Sequence, residues 1–301
     1  MSFDAFLTFL SENNIRFSEN EPLSKHTSFK IGGNARVAAF PDSETKLVAT
    51  LRAAKDAGLR SVLLGNGSNV LVSDRGFDGV VIFTTDCKEI SRDGNVITAD
   101  CGVTLAKLAA AARDASLTGL EFAHGIPGTV GGGVFMNAGA YGGEIGDVLI
   151  SSRFYDLSDG SFGELTADAH GFGYRTSVYS RNENLVMLSA KFELKPGNKD
   201  EIAAKMSELM AKRREKQPLE YPSAGSTFKR PVDNFAGKLI EESGLKGYTV
   251  GGAKVSEKHA GFLINAGGAT AEDVKKLISH VKETVYRDFG VLLECEIKFI
   301  D

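Results

Sequence analysis

The chain has 301 residues, of which 42% are hydrophobic and 25% charged, and its formal net charge is −4. A chain of this length is expected to form two or three compact units with large buried cores. Because acidic and basic residues are interspersed, the sequence excludes the basic surface typical of proteins that bind nucleic acid or an anionic membrane.

The N-terminal segment, MSFDAFLTFLSENN, predicts a short amphipathic helix. It does not resemble a signal peptide, because Asp4 comes early and neither a basic region nor a small-residue cleavage site is present. No apolar run approaches the length of a membrane-spanning helix. The scattered cysteines, Cys87, Cys101 and Cys295, lack metal-site spacing and favour a reducing compartment. We therefore expect a cytoplasmic protein with neither a nucleic-acid nor a membrane partner.

Helical patterns and β-like runs alternate through the first two thirds of the chain. Residues 42–58 predict a helix with Leu47, Val48 and Leu51 on one face, a cap at Asp42 or Ser43, and an end at Gly58. A second helix is predicted at residues 104–115. The predicted strands lie in SVLLG, NVLVSD, GVVIFT and VITADCG, in VLISSRFYDLSDGSFGEL with its Ser-Asp-Gly turn, and in LVMLSAKFEL.

The last third of the chain follows a predicted boundary at PGNKD, residues 196–200. It begins with a polar helix that stops at Pro218. The elements predicted beyond it are a loop in YPSAGSTFKRP, a helix in FAGKLIEESGL, strands near GYTVGGAKVS and HAGFLINAG, a long helix in TAEDVKKLISHVKETVYRDFG and a final strand in VLLECEIKFI. Together the elements predict an α+β or mixed α/β protein.

Two glycine-rich segments suggest a site. The first, GNGSNVLV at residues 65–72, is not a dinucleotide fingerprint, because Val70 replaces the third glycine and a β-like run follows. No Walker A motif is present. A strand, a glycine turn and a second strand can still bind an anion through converging backbone N–H groups. The alternative is a pair of ordinary hairpin turns.

The second segment, GIPGTVGGGVFMNAGAYGG at residues 125–143, is denser in glycine than hairpins need. Glycine inside a helix or strand costs about 0.5–1 kcal/mol relative to alanine. The density therefore indicates main chain that turns sharply or lies against a ligand. An extended diphosphate would use both segments.

These segments, together with GYRTS, AGSTFKRP, AGKLIEESGLKG, HAGFLIN and LLECEIKFI, resemble the MurB family of UDP-N-acetylenolpyruvoylglucosamine reductases over residues 24–300. The resemblance implies an α+β protein with a flavin-binding fold of the vanillyl-alcohol-oxidase (PCMH) type in two lobes, then a C-terminal α/β substrate-binding domain. It implies non-covalent FAD contacts at Gly65, Asn66, Gly67, Ser68, Asn69, Gly125, Ile126, Pro127, Gly128, Thr129, Gly132, Asn137, Ala138 and Gly139.

The same resemblance divides the chain into regions. It implies an FAD-binding region at residues 1–195, with lobes at about 1–60 and 61–195, and a substrate-binding domain at 200–301. The last strand, residues 291–301, is a candidate to pack back on the first lobe.

The family reaction reduces the double bond of an enol ether on a UDP-sugar during peptidoglycan synthesis, with NADPH as hydride donor. Arg175 matches the catalytic arginine, whose guanidinium suits a carboxylate. Ser226 matches the proton donor. It lies in no G-x-S-x-G motif, which argues against a serine hydrolase. Without the resemblance, Arg175 would be a surface arginine and Ser226 a turn residue.

Glu296 matches the third catalytic residue. Strand alternation places it on one face with Leu292, Glu294 and Lys298, opposite a face that contains Leu293, Cys295, Ile297 and Phe299. Glu294 serves as an internal control, because it shares the face and the chemistry of Glu296 but not the motif position. The alternative for Glu296 is the solvated face of an edge strand.

Weaker candidates for substrate contact are Tyr174, Lys216, Lys229 and Asn234. The lysines could instead be exposed cations that complement a helix dipole. His259 is expected to be structural, and no cluster has metal-ligand spacing.

The chain departs from part of the family in one respect. Only SRNEN separates GYRTSVY from LVMLSAKF, where some members carry an insertion whose tyrosine covers the substrate. The chain therefore resembles the shorter type. Two alternatives remain, namely a flavin oxidase of the same superfamily, for which His124 is the nearest tether, and a nucleotide-sugar-binding regulator without redox activity.

Overall fold

The computed structural model describes residues 3–301, which contain eight α-helices. Their bounds are α1 Phe3–Glu12, α2 Glu44–Asp56, α3 Leu105–Asp114, α4 Val130–Phe135, α5 Val178–Arg181, α6 Lys199–Lys216, α7 Ala236–Glu242 and α8 Ala271–Phe289. Short 3₁₀ helices lie at Leu23–Lys25, Glu121–Ala123, Ile145–Asp147 and Ala167–His170. None of the helices in this described range is both long and apolar enough to cross a membrane.

The strands form two four-stranded sheets, one five-stranded sheet and three strand pairs. Their bounds are β1 Arg16–Pro22, β2 Asn34–Phe40, β3 Ser61–Leu64, β4 Val70–Val72, β5 Phe77–Phe83, β6 Ile90–Asp93, β7 Val96–Asp100, β8 Leu117–Thr118, β9 Gly139–Ala140, β10 Gly143–Glu144, β11 Leu149–Asp156, β12 Phe162–Thr166, β13 Leu185–Glu193, β14 Lys195–Pro196, β15 Ser223–Ser226, β16 Thr249–Val250, β17 Ala253–Val255, β18 Phe262–Asn265 and β19 Lys298–Ile300. The strand orders are β1-β2-β5-β3, β12-β11-β13-β7-β6, β15-β18-β17-β16, β10-β9, β14-β8 and β19-β4.

The chain divides into two compact units that interleave along the sequence. The first contains the described part of Met1–Glu19, with Val37–Asn66 and Gly79–Lys212, and the second contains Asn20–Arg36, Gly67–Asp78 and Arg213–Asp301. The predicted boundary near 196–200 therefore lies within the first unit. Which region binds cofactor and which binds substrate stays a prediction.

The first unit is built on the antiparallel five-stranded sheet, and β3 and β5 add a parallel pair in which Ser61 lies opposite Val80. Helix α2 begins at the cap Ser43, whose hydroxyl accepts a hydrogen bond from the Lys46 N–H. Its residues Leu47, Val48 and Leu51 are buried, as predicted.

The second unit packs α7 and α8 with the sheet β15-β18-β17-β16 around its own apolar core. Helix α8 begins with a capping box between Thr270 and Asp273 and ends at Gly290, whose φ is 69°. The Asp74 carboxylate accepts hydrogen bonds from the Ala271 and Glu272 N–H groups at 2.7 and 3.0 Å. This contact fixes the start of the helix next to the end of β4.

Two expectations about local structure differ from the fold. The segment YPSAGSTFKRP, predicted as a loop, contains β15, because Ser223–Ser226 pairs with β18. The final strand is shorter than predicted, because β4, with which β19 pairs in parallel, extends only over Val70–Val72. Leu293 and Ile297 are buried while Leu292, Glu294 and Lys298 are exposed, as alternation predicts. Cys295 and Glu296 are both half-buried, and Phe299, which was expected on the face of Leu293, is 41% exposed.

Candidate active site

Gly65 and Asn66, the part of the first glycine segment that lies in the first unit, contact the second glycine segment. The Asn66 side-chain amide donates a hydrogen bond to the Pro127 carbonyl at 3.0 Å. A Cβ atom at Gly65 would collide with the Thr129 hydroxyl, so the absence of a side chain lets the two segments touch. Thr129 in turn caps α4 by accepting the Gly132 N–H. These contacts bring together residues of both segments that were predicted to bind cofactor.

The glycines of the second segment serve more than one purpose. A Cβ at Gly143 would lie 2.7 Å from the Phe122 ring, so this glycine is required by the packing of the chain itself. At Gly132 the nearest atom to a Cβ would be the Thr129 hydroxyl at 3.7 Å, an ordinary contact. Gly132 therefore has open space next to its main chain.

The residues of the first unit fit a bound flavin nucleotide on two observations. Gly132 offers the open main chain that a ligand can approach. His124, directly before the second glycine segment, has a buried Nδ1 atom with no hydrogen-bond partner within residues 3–301. A buried unpaired nitrogen is costly unless something pairs with it. A ligand with hydrogen-bonding groups can lie against the main chain at Gly132 and pair with His124 Nδ1.

Arg175 lies in the first unit on a tight turn in which Gly173 and Thr176 exchange backbone hydrogen bonds. Its φ of 57° is in the left-handed region, which costs a non-glycine residue about 1–2 kcal/mol. The guanidinium donates to the Gly139 carbonyl at 3.3 Å and lies 5.3 Å from the centre of the Tyr174 ring. Tyr174 is 52% exposed. A strained, anchored arginine is typical of functional sites.

Ser226 and Glu296 lie in the second unit. Ser226 ends β15 after a register shift between Ser223 and Ser226, where Gly225 has a φ of 76°. The Glu296 N–H donates to the carbonyl of Thr227, the residue after Ser226, at 2.8 Å. The backbones of the two predicted catalytic residues are therefore adjacent across this pairing.

Glu296 is also tied to the first glycine segment. Asn69 donates from its side-chain amide to the Glu296 carbonyl at 3.2 Å, and its own carbonyl accepts the Lys298 N–H at 2.9 Å. Glu294 differs from Glu296, because its side chain is 74% exposed and it accepts a hydrogen bond from Lys229 at 3.1 Å. The two glutamates therefore differ in their contacts, although strand alternation predicted that they share a face.

The other predicted site residues are distributed over both units. Gly67 and Ser68 lie in the second unit, as do the exposed Lys216 and the half-buried Asn234. The remaining residues of the second glycine segment lie in the first unit: Gly125, Ile126, Gly128, Asn137 and Ala138.

Sequence reasoning missed a buried polar network in the first unit. The Ser152 hydroxyl lies 2.7 Å from His170 Nε2 and 2.6 Å from the Tyr179 hydroxyl, while His170 Nδ1 lies 2.8 Å from the Thr166 carbonyl. Burial raises the pKa of Tyr179 to about 12 and lowers the pKa of His170. The one feature of the sequence that could have indicated this network is Tyr179, which closely follows the GYRTS motif. Among residues 3–301 no cluster of side chains could hold a metal ion.

Comparison with known proteins identifies the family of both parts of the chain. Residues 35–166 match the FAD binding domain family, and residues 217–300 match the C-terminal domain of UDP-N-acetylenolpyruvoylglucosamine reductase. The UDP-N-acetylenolpyruvoylglucosamine reductase of Caldicellulosiruptor bescii is 51% identical over 98% of this chain and 94% of its own. That of Latilactobacillus sakei is 49% identical over 97% and 96%.

The crystal structure of UDP-N-acetylenolpyruvylglucosamine reductase (MurB) from Thermus caldophilus has a TM-score of 0.81, at 33% identity, and covers 95% of this chain and 99% of that one. The predicted flavin-binding fold and the predicted class of FAD-dependent oxidoreductase are thereby confirmed. The chain belongs to the UDP-N-acetylenolpyruvoylglucosamine reductase family.

Proposed function

We propose that the protein reduces the enolpyruvyl group of UDP-N-acetylglucosamine enolpyruvate to give UDP-N-acetylmuramate for peptidoglycan synthesis, in the cytoplasm, with NADPH as the hydride donor. The relatives' names support the substrate class. The observation that carries the proposal is the pairing of the Ser226 and Glu296 segments, which come from distant parts of the sequence. Reduction of an enol ether requires a positioned proton donor, the role proposed for Ser226, and the pairing brings the backbone of Glu296 next to it.

The reaction adds a hydride to one alkene carbon and a proton to the other. When bound, FAD supplies the two-electron chemistry by which the hydride of NADPH reaches the alkene. The residues proposed to hold it lie on the two glycine segments, where Gly132 leaves open main chain. His124, directly before the second segment, has an Nδ1 atom that is unpaired among the described residues.

Arg175 binds the enolpyruvyl carboxylate. Negative charge builds on this group as the hydride arrives, and a fixed guanidinium stabilises that charge without having to reorganise. The hydrogen bond to Gly139 and the contact with the Tyr174 ring orient the guanidinium, and its planar fork matches the geometry of a carboxylate.

Ser226 donates the proton to the carbanion-like carbon and then recovers a proton from solvent. A serine hydroxyl is a weak acid, so this step depends on a strongly basic acceptor in a site that excludes water. Glu296, whose backbone pairs with the residue after Ser226, polarises the enol ether or its carboxylate.

Tyr174, Lys216, Lys229 and Asn234 are proposed substrate contacts. The exposed ion pair of Lys229 with Glu294 contributes about 0–1 kcal/mol, so Lys229 can exchange that partner for a phosphate. Closure over the substrate does not use an inserted tyrosine loop.

The test is turnover by FAD-loaded protein with the enolpyruvyl UDP-sugar and NADPH, followed by mass spectrometry. We expect a product heavier by two hydrogen atoms, with one NADPH consumed for each product molecule. NADPH consumption that depends on oxygen and yields no such product would indicate a flavin oxidase. Binding of the UDP-sugar without any redox change would indicate a regulator.

A further inference from the structure

Hydrogen bonds among the described residues join residues 135–139, at the end of α4 and directly after it, to the turn that carries Arg175. The Ser177 hydroxyl donates to the Phe135 carbonyl at 2.8 Å, and the Asn137 amide donates to the Gly173 carbonyl at 3.2 Å. In the third, Arg175 donates to the Gly139 carbonyl. Donors from both segments take part, so each segment fixes the other.

Asn137 is the centre of this connection. Its side chain also donates to Glu144 at 2.9 Å and accepts the Gly146 N–H at 2.9 Å. The residue is 1% exposed, and its φ is 46°. Asparagine tolerates this left-handed conformation better than most residues. The amide oxygen and nitrogen are therefore both engaged by the chain itself, although the sequence predicted a cofactor contact at this position.

We propose that Asn137 is a positioning residue for Arg175. The proposal rests on the proposed role of Arg175 in substrate binding. Asn137 holds the Gly173 carbonyl, two residues before Arg175, and lies two residues before Gly139, which accepts the guanidinium bond. Loss of its side chain removes one bond that holds the strained turn and loosens the segment that carries Gly139, an acceptor of the guanidinium. The unfavourable φ of Arg175 persists only while its surroundings impose it.

The test variant is Asn137→Gly, because glycine adopts a positive φ without strain and the change removes only the side chain. Asn14→Gly is the matched control, since Asn14 lies in the same unit with a φ of 51°. Three quantities are measured: FAD affinity by fluorescence titration, the rate at which NADPH bleaches the flavin absorbance, and the rate at which the enolpyruvyl substrate restores it.

We expect Asn137→Gly to slow the substrate-dependent recovery by about tenfold to a hundredfold, the usual effect of misplacing a catalytic group. FAD affinity and the NADPH step should change far less than the recovery rate in Asn137→Gly. In Asn14→Gly all three quantities should change by less than about threefold, which corresponds to the loss of no contact. In an Arg175→Ala background, Asn137→Gly should have almost no further effect, because interacting residues are not additive. Ser177→Ala, which removes the hydrogen bond to the Phe135 carbonyl, should act in the same direction.

Full additivity with Arg175→Ala would overturn the proposal, as would a loss of FAD affinity that leaves Arg175 in place. If the wild-type protein is not reoxidised by the enolpyruvyl substrate, the proposed function fails instead. The positioning role is then decided by crystal structures without substrate. Arg175 should leave the Gly139 carbonyl in Asn137→Gly and stay there in Asn14→Gly; an unmoved Arg175 in both would refute the role.

Discussion

Gly225 offers a sharp test of how the fold aims Ser226. It has a φ of 76°, and a Cβ added there would meet no atom within 4 Å. Gly244, just after α7 in the same unit, has a φ of 72° and is equally open. Alanine at either position therefore meets no clash and carries only the left-handed backbone cost of about 1–2 kcal/mol. Alanine also restricts the unfolded chain more than glycine does, which offsets about 0.4–1 kcal/mol of that backbone cost.

Both alanine variants should therefore lose about 1 kcal/mol of stability, the difference between these two effects. Their effects on activity should differ. The register shift between Ser223 and Ser226 is a bulge, with one more residue than the facing stretch of β18. At Gly225 the strain is relieved if this bulge straightens, which shifts Ser226 from its position opposite Phe262. A shift of one residue turns a strand side chain to the other face. At Gly244 the backbone only ends a helix.

The assays are urea denaturation and the rate at which the enolpyruvyl substrate restores the flavin absorbance. Gly225→Ala should slow that rate at least about tenfold, since a misplaced proton donor loses most of its catalytic effect. Gly244→Ala should leave the rate nearly unchanged at a similar denaturation midpoint. Equal rates in the two variants would refute the idea that the bulge aims Ser226.

Three further predictions concern single side chains. Ser226→Ala should leave bleaching by NADPH intact and slow recovery with substrate by about 10²–10⁴-fold, as measured by stopped-flow absorbance; equal loss of both steps would make Ser226 structural. Glu296→Gln should slow the same recovery far more than Glu294→Gln, whose carboxylate is exposed and paired with Lys229, and equal effects would remove the distinction between the glutamates. Burial lowers the pKa of His170, so below the usual pKa of about 6.5 the unfolded chain binds a proton that the folded chain does not. Stability, measured as the urea midpoint, should therefore fall as the pH is lowered below about 6.5, and it should fall less steeply in His170→Gln. The same pH dependence in the variant and the wild type would contradict this origin.

Much of the fold could be predicted because its signals are local. Helices α2, α3 and α8 begin at Ser43, Thr104 and Thr270, whose hydroxyls each accept a backbone N–H from the first turn. An apolar stripe then runs along each helix. Caps and apolar periodicity depend on residues that are close in the sequence, so these helices can be predicted without tertiary information.

Helix α4 could not be predicted, because it contains three consecutive glycines and glycine is a poor helix former. Tertiary bonds hold it, since the Val130 N–H donates to the Val103 carbonyl and the Gly131 N–H to the Cys101 carbonyl. The length of β19 likewise depends on β4, which no property of residues 291–301 reveals.

The motif residues of the candidate site could be identified from the sequence, but their surroundings could not. Nothing local indicates that the Asn137 amide is used by Glu144, Gly146 and Gly173. The different environments of Glu294 and Glu296 depend on Lys229 and Asn69, which are distant in sequence. Such contacts arise only when the strands pair.

The most direct test of the proposed reaction is the absorption spectrum of the FAD-loaded protein under anaerobic conditions. NADPH is added first and the enolpyruvyl UDP-sugar second. We predict that the flavin band bleaches with NADPH and returns with the sugar. A band that stays bleached after the sugar is added, or a protein that does not take up FAD, would contradict the proposed function.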